Sequence, residues 1–287
     1  MPKSELLIRE ARPEDKPHVL TFVRRTWRWG DYIPKVWDEW FNEPHGRILV
    51  AVLDGEVVGM NHVRFSTPNY AWLEGARVHP KHRRKGVATA LALNALEFSS
   101  ASGARIARLA TSSNNEPAKA HLMKLGFRVE AEFVWLQGTP PIESHAVKIR
   151  EAERSELGSL WLEIKRSAVY KASAGLIGRG WAWYEMNRQT LSEYANQGGL
   201  FLASTGLKRT GIALLGSAKG ENVIEVAYID GVQAAVKSLL SLSSNGYRRT
   251  SSKRVRIFAP KHQLLLATLL KVGLKEKGKY LVFSKQI

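Results

Sequence analysis

The chain has 287 residues, of which 44% are hydrophobic and 24% are charged, so it is long enough for two packed domains and too apolar for a disordered protein. It contains no cysteine, which excludes disulfides, cysteine metal sites and thiol nucleophiles. The net charge is +17, and with no bilayer-length apolar run and no signal-peptide core near the N-terminus we expect a cytoplasmic protein.

The first half of the chain alternates strand and helix patterns in a mixed order. The predicted strands span residues 5–11, 47–53, 57–66, 71–78, 105–111 and 127–136, and the predicted helices span 13–29, 34–43, 86–101 and 116–125. Between two of these strands, Asp54-Gly55 is a strong hairpin signal. We therefore expect a mixed α/β fold in which an antiparallel meander precedes the central helix.

A domain boundary is predicted where Gly138, Pro140 and Pro141 punctuate the chain, giving one domain at 1–140 and a second at 141–287. The second has predicted strands at 146–152, 200–204, 211–218, 223–229, 254–259 and 278–285, and predicted helices at 154–167, 180–196, 232–245 and 261–271. The second half is the more basic one, because dividing the chain near residue 143 gives a net charge of +4 before the division and +13 after it.

The two halves share landmarks in the same order. "LLIREARPED" at 6–15 resembles "AVKIREAERSE" at 146–156, and "HLMKLGF" at 121–127 resembles "TLLKVGL" at 268–274. Because these pairs are offset by similar distances, of about 140 to 147 residues, the sequence predicts an internal duplication.

The segment "KHRRKGVATA" at 81–90 places a cluster of positive charge at the start of a helix. The N–H groups of a helix's first turn have no partner within the helix, so they form an anion site. Gly86 allows close backbone approach, Ala88 leaves room, and Arg83, Arg84 and Lys85 add charge. The pattern favours a bound pyrophosphate, although a solvated basic helix start would have the same composition.

This segment, with Arg83, Gly86 and Ala88 in an Arg-x-x-Gly-x-Ala pattern after "VHP", resembles the acyl-CoA-binding motif of the GCN5-related N-acetyltransferases (GNAT). "NNEPAKAHLMKLGF" at 114–127 resembles the second signature of that family. Both motifs fall within residues 5–137, and the second half resembles the family in outline only. The resemblance implies two tandem GNAT-like domains. The second is degenerate, because "VQAAVKSLL" lacks the basic glycine turn and Asp230 would repel a pyrophosphate.

The resemblance further implies acetyl-CoA as co-substrate and no metal. The backbone of Val78 would pair with the pantetheine arm, and Asn115 would face the cofactor near its thioester. The acetyl group would lie where the strand ending at Val78 splays from the strand at 105–111. The residues implied around the pyrophosphate are Arg83, Arg84, Lys85, Gly86, Val87, Ala88 and Thr89.

Amine acetylation needs a proton acceptor for the amine and stabilisation of the thioester oxygen, for which the Val78 N–H is suited. Glu74, on the strand that leads to the motif, is the favoured base, and His79 is the alternative. Where the family often has a tyrosine as general acid, this chain has Leu122, with His121 beside it as a substitute acid. The alternatives without a catalytic role are that Glu74 is a surface residue of its strand and that His79 only shapes a turn.

The acceptor side is predicted in the aromatic stretch "TWRWGDYIPKVWDEWFNEP" at 26–44. Trp37, Trp40 and Phe41 share one helical face and are expected in the core. The candidates for contacting the acceptor lie in the connecting loop and on the third strand, namely Trp29, Asp31, Tyr32, Asn61 and His62.

The segments "DYIPKVWDEWFNEP", "VLDGEVVG" and "EGARVHP" are similar to the branch of the family that contains vertebrate histidine N-acetyltransferases. The resemblance implies direct attack by a primary amine in a ternary complex, with a free amino acid as one acceptor class. Peptide N-termini and lysine side chains stay open, and a polyamine ranks last because a basic protein would not steer a cation towards itself.

Two other readings stay open. A nucleic-acid-associated protein would use a basic face with an exposed aromatic, formed by Tyr247, Arg248, Arg249, Lys253, Arg254 and Arg256. The alternation in "RVRIF" instead places Arg254 and Arg256 on the solvent face of a strand. The other reading is a non-catalytic acyl-CoA sensor. In the acetyltransferase reading, the degenerate second domain would shape the acceptor site or a homodimer interface, and no membrane partner is expected.

Overall fold

The computed structural model describes residues 5–24, 26, 30–67, 69–140, 147–217, 222–244 and 254–287. The elements of the first half are β1 (Leu6–Glu10), α1 (Asp15–Val23), α2 (Ile33–Phe41), β2 (Gly46–Leu53), β3 (Glu56–Thr67), β4 (Tyr70–Val78), α3 (Val87–Ala101), β5 (Ile106–Ser112), α4 (Glu116–Lys124) and β6 (Arg128–Gly138). All ten elements predicted for this half are present, with shifted ends. None of the helices in the described ranges combines the length and apolar character that crossing a bilayer requires.

Two compact units make up the chain, and each is continuous in space but not in sequence. The first takes in the described residues up to Leu109, together with His121–Arg128 and Phe283–Ile287. The second takes in Ala110–Ala120 and the described residues of Val129–Val282. The predicted boundary at 140 adjoins residues 141–146, which lie outside the described residues, so that boundary stays a prediction.

The first unit is built on strands in the order β1-β2-β3-β4-β5. The first four are antiparallel, and β4 runs parallel to β5. Side chains alternate between the faces of this sheet. On one face α1 and α2 pack against Ile48, Val50 and Met60, and on the other α3 packs against Gly59.

The second half contains β7 (Lys148–Glu151), α5 (Leu157–Arg166), α6 (Ala168–Ala172), β8 (Leu176–Arg179), β9 (Ala182–Glu185), α7 (Arg188–Asn196), β10 (Leu200–Thr205), β11 (Lys208–Ser217), β12 (Ile224–Gly231), α8 (Gln233–Ser244), β13 (Val255–Pro260), α9 (Gln263–Lys271) and β14 (Lys275–Gln286). Within the second unit the sheet order is β14-β6-β13-β12-β11-β10-β7, and β8 pairs with β9 in a separate hairpin.

The second unit repeats the topology of the first. Strands β7, β10, β11 and β12 are antiparallel in turn, and β12 then runs parallel to β13. Gly59 and Gly211 hold equivalent places, because a Cβ at either would lie within 3.0 Å of a side chain on the central helix of its unit, α3 or α8. The shared strand directions and the paired glycines support the predicted duplication.

The predicted helix at 180–196 is wrong in its first part. Residues 176–185 form the β8–β9 hairpin, and α7 begins only after Asn187, whose side chain accepts a hydrogen bond from the Thr190 N–H. The two turn residues, Gly180 and Trp181, both have positive φ, of 58° and 68°, which is the type I′ geometry of tight hairpins. Sequence reasoning missed the turn because Trp181 is an unusual residue for that conformation.

The predicted solvent exposure of Arg256 is also wrong, because its relative exposure is 2%. Its Nη2 lies 3.1 Å from Oε1 of the buried Glu225, and its guanidinium lies over the Trp181 ring. Both faces of β13 are covered, because all six of its residues are buried, and the Trp181 ring at the turn of the β8–β9 hairpin lies against Arg256. Arg256 therefore belongs to the core and not to a basic surface; Tyr247, Arg248, Arg249 and Lys253 lie outside the described residues.

Candidate active site

The loop between β4 and α3 has the backbone of an anion site. Arg84 and Gly86 both have positive φ, of 62° and 81°, and Gly86 directly precedes the first residue of α3. A backbone that alternates between positive and negative φ turns successive N–H groups towards one side. A Cβ at Gly86 would meet nothing within 4 Å, so the space in front of the helix start is open. Val87 is buried, whereas Ala88 and Thr89 are exposed beside that space.

The same loop carries positive charge that no carboxylate neutralises within the described ranges. Arg83, Arg84 and Lys85 are all exposed, and none of the ion pairs found among described residues involves them. Because the first-turn N–H groups of α3 add the positive end of the helix dipole, an anion is strongly favoured here.

Strand β4 has an open edge beside this loop. It pairs with β5 only at Tyr70, Ala71 and Trp72, while its other edge stays paired with β3 up to Val78. The His79 N–H donates to the Val58 carbonyl, so the N–H of the preceding residue, Val78, points away from β3 towards the open edge. The expected divergence of the two strands is confirmed, and it leaves backbone donors and acceptors free for an extended ligand.

Glu74 lies on β4, near the start of this open stretch, and several polar groups surround its carboxylate. Oε1 lies 3.2 Å from Nδ1 of His62 and 3.1 Å from Nε of Arg64, and Oε2 accepts a hydrogen bond from the Trp72 indole N–H at 3.2 Å. The side chain is 15% exposed. It is therefore an ordered carboxylate with limited solvent access, and not the exposed strand residue that was the alternative.

Tyr32 and Asp31 are anchored to β4 by Arg77. The Arg77 Nε and Nη2 atoms lie 2.7 and 3.2 Å from the Asp31 carboxylate, and its guanidinium lies 5.2 Å from the centre of the Tyr32 ring. The Tyr32 ring also contacts Trp40 edge-on. Burial raises the pKa of the Tyr32 hydroxyl, so it is neutral at physiological pH. Trp29, the other aromatic candidate, lies outside the described residues.

Asn61 and His62 are neighbours on β3 and therefore face opposite sides of the sheet. The Asn61 amide donates to the Leu91 carbonyl of α3, and its own carbonyl oxygen is buried without a hydrogen-bond partner among the described residues. His62 faces α2, where its ring stacks on Trp40. The structure thus brings Tyr32, His62 and Glu74 to one face and places Asn61 on the other.

The histidines proposed for proton transfer have different surroundings. Nδ1 of His79 accepts the Lys81 N–H, and burial together with His82 and Lys81 lowers the pKa of this imidazole. It therefore has the turn role considered as the alternative. His121 has a buried Nε2 with no hydrogen-bond partner in the described part of the chain, and Leu122 beside it is buried.

Asn115 belongs to the second unit and caps α4. Its side chain accepts the Ala118 N–H at 3.3 Å and donates to the Thr111 hydroxyl at 3.2 Å. This geometry explains an asparagine before the helix, and its predicted role at the thioester stays a prediction.

The second unit has lost the corresponding site. His62 and Leu214 each lie three residues beyond the paired glycine, and they face Glu74 and Tyr228 respectively across the strand pair. Val78 is followed by eight residues before α3 begins at Val87, whereas Gly231 is followed by one residue before α8 begins at Gln233. The Asp230 carboxylate accepts the Gly231 N–H at 2.7 Å and the Tyr228 hydroxyl at 3.1 Å. The anion loop is absent from this described stretch, as the sequence predicted.

Sequence reasoning missed Glu43, Arg64, Trp72 and Arg77. Simple strand pairing would not have found them, because counting back from the Thr67–Tyr70 pair places Val63 opposite Glu74, and only a register shift between Phe65 and Thr67 brings His62 there. Given that shift, Arg64 and Trp72 follow from the two-residue period of each strand. Among the described residues, no group of three His, Asp or Glu side chains is arranged to hold a metal ion.

Comparison with known proteins agrees with this geometry. Residues 8–127 match the model of the acetyltransferase (GNAT) family. No curated protein matches the chain. Among solved structures, a GCN5-related N-acetyltransferase from Sphaerobacter thermophilus is 14% identical with a TM-score of 0.66, over 98% of this chain and 95% of that one.

Two further structures cover most of both chains. A tandem GNAT protein from the clavulanic acid biosynthesis pathway is 14% identical with a TM-score of 0.56, over 99% of this chain and 98% of that one. A GCN5-related N-acetyltransferase from Kribbella flavida is 15% identical with a TM-score of 0.52, over 99% of this chain and 71% of that one. At these identities the likeness is one of fold, and the tandem protein shares the two-domain arrangement.

Proposed function

Because residues 8–127 belong to the acetyltransferase (GNAT) family, which makes the chain an acyltransferase, we propose that it transfers the acetyl group of acetyl-CoA to a primary amine. The observation that carries the proposal is the open, unneutralised segment from Arg83 to Thr89, which is the end of the loop and the first turn of α3. A loop that presents backbone N–H groups and cations to empty space fits a diphosphate.

The residues present fit acetyl-CoA as co-substrate. The loop and the first turn of α3 would hold the pyrophosphate, and the open edge of β4 up to Val78 would pair with the pantetheine amides. The co-substrate supplies an acetyl group already activated as a thioester. The outward N–H of Val78 is available to stabilise the oxygen of that group as it gains negative charge.

Glu74 is proposed as the proton acceptor for the attacking amine. Its Oε2 receives one hydrogen bond from Trp72 and retains a lone pair, because each carboxylate oxygen can accept two hydrogen bonds. The amine N–H bond would break as an O–H bond forms on Glu74, directly or through one water. His121, whose Nε2 has no hydrogen-bond partner among described residues, is proposed to protonate the departing thiolate.

The proposed acceptor is a small primary amine such as a free amino acid, with peptide and lysine amines as further classes. Tyr32 and Glu74 lie on the same face of the sheet, and a contact from Asn61 would require access from the α3 side. Trp29 stays a candidate on the sequence alone. A nucleic-acid-associated role has less support, because Arg256 is buried in an ion pair.

Calorimetric titration with acetyl-CoA tests the proposal, with Gly86→Glu and Gly55→Glu as matched variants. Both glycines have positive φ and open space where a Cβ would lie, so the backbone costs are similar. Only Gly86 adjoins the proposed site, and a carboxylate there should weaken binding by about 100-fold or more through like-charge repulsion. Equal binding by all three proteins would contradict the assignment.

An acceptor panel monitored by CoA release then separates an enzyme from a sensor. The panel contains amino acids, a peptide with a free N-terminus and an N-terminally blocked lysine peptide. Glu74→Gln is expected to lower CoA release by about 100-fold or more, within the usual range for loss of a general base. Binding of acetyl-CoA with no release for any amine would favour the non-catalytic sensor.

A further inference from the structure

His62 lies between two carboxylates on the acceptor face of the first unit. Its Nδ1 is 3.2 Å from Oε1 of Glu74, and its Nε2 is 3.5 Å from Oε2 of Glu43. The imidazole is fully buried, whereas the Glu43 side chain is 26% exposed. The ring also stacks on Trp40 with centroids 4.4 Å apart and planes within 8°.

Two glycines keep the space for this arrangement. A Cβ at Gly46 would lie 2.8 Å from Nε2 of His62 and 3.0 Å from Oε2 of Glu43, so any side chain there would displace one of the two. A Cβ at Gly75 would lie 2.7 Å from the Trp40 ring that supports the imidazole. The rotation of the ring is therefore fixed by the stacking on its face and by the contact at Nδ1, whereas Nε2 lies beside Glu43 without a hydrogen-bond partner among the described residues.

We propose that His62 is a positioning residue for Glu74, with the Trp40 ring fixing the orientation of the imidazole and its Nδ1–H fixing Oε1. The inference rests on the proposed role of Glu74 as proton acceptor. With Oε1 held by His62 and Arg64, the carboxylate cannot rotate, and the lone pair of Oε2 is presented in one direction. Such fixed geometry matters because a misplacement of about 1 Å can cost about 100-fold in rate.

The arrangement requires a proton on Nδ1, because an ionised carboxylate only accepts hydrogen bonds. In a neutral imidazole the tautomer is set by the partner of each nitrogen. The charged groups that face this ring and its carboxylate are Glu43, Arg64 and Glu74, and Trp40 covers the ring.

The ring state is measured by 15N NMR of the histidine side chains in the full chain without ligand. The chain has 8 histidines, and His62 is assigned by the signal that disappears in His62→Asn. The expected signature is a protonated Nδ1 with slow proton exchange, shifted in Glu74→Gln. Glu43→Gln and Gly46→Ala should both shift the 15N signal of Nε2, and Gly46→Ala should do so by displacing Glu43. An unprotonated Nδ1 would overturn the proposal.

The kinetic arm uses acetyl-CoA and the amine of the panel that gives the fastest CoA release. His62→Leu should lower kcat by about 10- to 100-fold with an unchanged KM for acetyl-CoA. His62→Asn, whose amide can donate from nearly the place of Nδ1, should recover most of kcat. A full kcat in His62→Leu, with Glu74→Gln inactive, would overturn the positioning role. A Glu74→Gln variant that stays active would overturn the assignment of Glu74 as the base. The protonation of Nδ1 tests the geometry of the pair in each case, because it is measured without ligand.

Discussion

Asp31 shows how a single buried charge organises the acceptor side. Its side chain is fully buried, its carboxylate is bidentate with Arg77 on β4, and its Oδ1 also accepts the Ile33 N–H at the start of α2. One residue thereby ties the loop before α2 to the strand that carries Glu74. The desolvation cost of such a charge is offset only while its partner is present.

We expect Asp31→Asn to lower the free energy of unfolding by about 3 kcal/mol, because it leaves the Arg77 charge buried without its carboxylate. Urea unfolding followed by tryptophan fluorescence measures the change. Asp38→Asn is the control, since Asp38 is 74% exposed and pairs with Lys16 on the surface. That variant should lose less than about 1 kcal/mol, and equal losses in the two would contradict the argument.

At the scale of an element, the single 3₁₀ turn at Arg154–Glu156, which leads into α5, has a charged cap. The side chain of Glu156 accepts the Glu153 N–H at 3.0 Å and two hydrogen bonds from Arg150. The Arg150 hydrogen bonds, opposed by burial and aided by the Glu153 N–H, lower the pKa of Glu156 to about 2. Because the folded-state pKa lies below the unfolded one, the ionised carboxylate stabilises the second unit above the unfolded pKa.

Glu156→Gln should therefore cost about 1–2 kcal/mol at pH 7, after allowance for solvent screening of a partly exposed pair. The difference from the wild-type chain should shrink as the pH falls below the unfolded pKa, about 4.3, and vanish near the folded pKa. Urea unfolding at several pH values measures it, with Glu276→Gln as the control for a surface pair. A cost that is constant with pH would show that the cap acts without its charge.

For the whole molecule, duplication has preserved the fold and removed one site. The second unit keeps the strand order and the glycine under the central helix, but it has one residue where the first unit has the eight-residue loop. Its Tyr228 and Leu214 replace a carboxylate and an imidazole, and burial raises the pKa of the Tyr228 hydroxyl far above its usual range. The described part of the second unit thus has neither the loop nor the carboxylate that are proposed to act in the first.

We expect one acetyl-CoA to bind per chain, since among the described residues the loop is present in the first unit alone. The stoichiometry of the calorimetric titration checks this, and Gly86→Glu should remove the single site. Two sites per chain, or one site that survives in Gly86→Glu, would place acyl-CoA binding in the second unit and contradict its assignment as degenerate.

The sequence by itself determined the elements of the first half, the anion loop and its absence from the second half. These depend on local signals, namely hydrophobic period, turn residues and the cluster from Arg83 to Gly86, which act over a few positions. Where a local signal was unusual, as for Trp181 in a tight turn, the predicted helix was wrong.

Only the tertiary structure decided which charges meet. Asp31 and Arg77 are 46 positions apart, and Glu225 and Arg256 are 31 apart. Packing of the β8–β9 hairpin turn over β13 buried Arg256, although its alternation with apolar residues is equally typical of an exposed strand face. The same holds for His62, whose place between Glu43 and Glu74 depends on strand pairing and on the packing of α2. A pairing of distant residues is a property of the closed fold, because the sequence pattern fixes faces but not the neighbours that cover them.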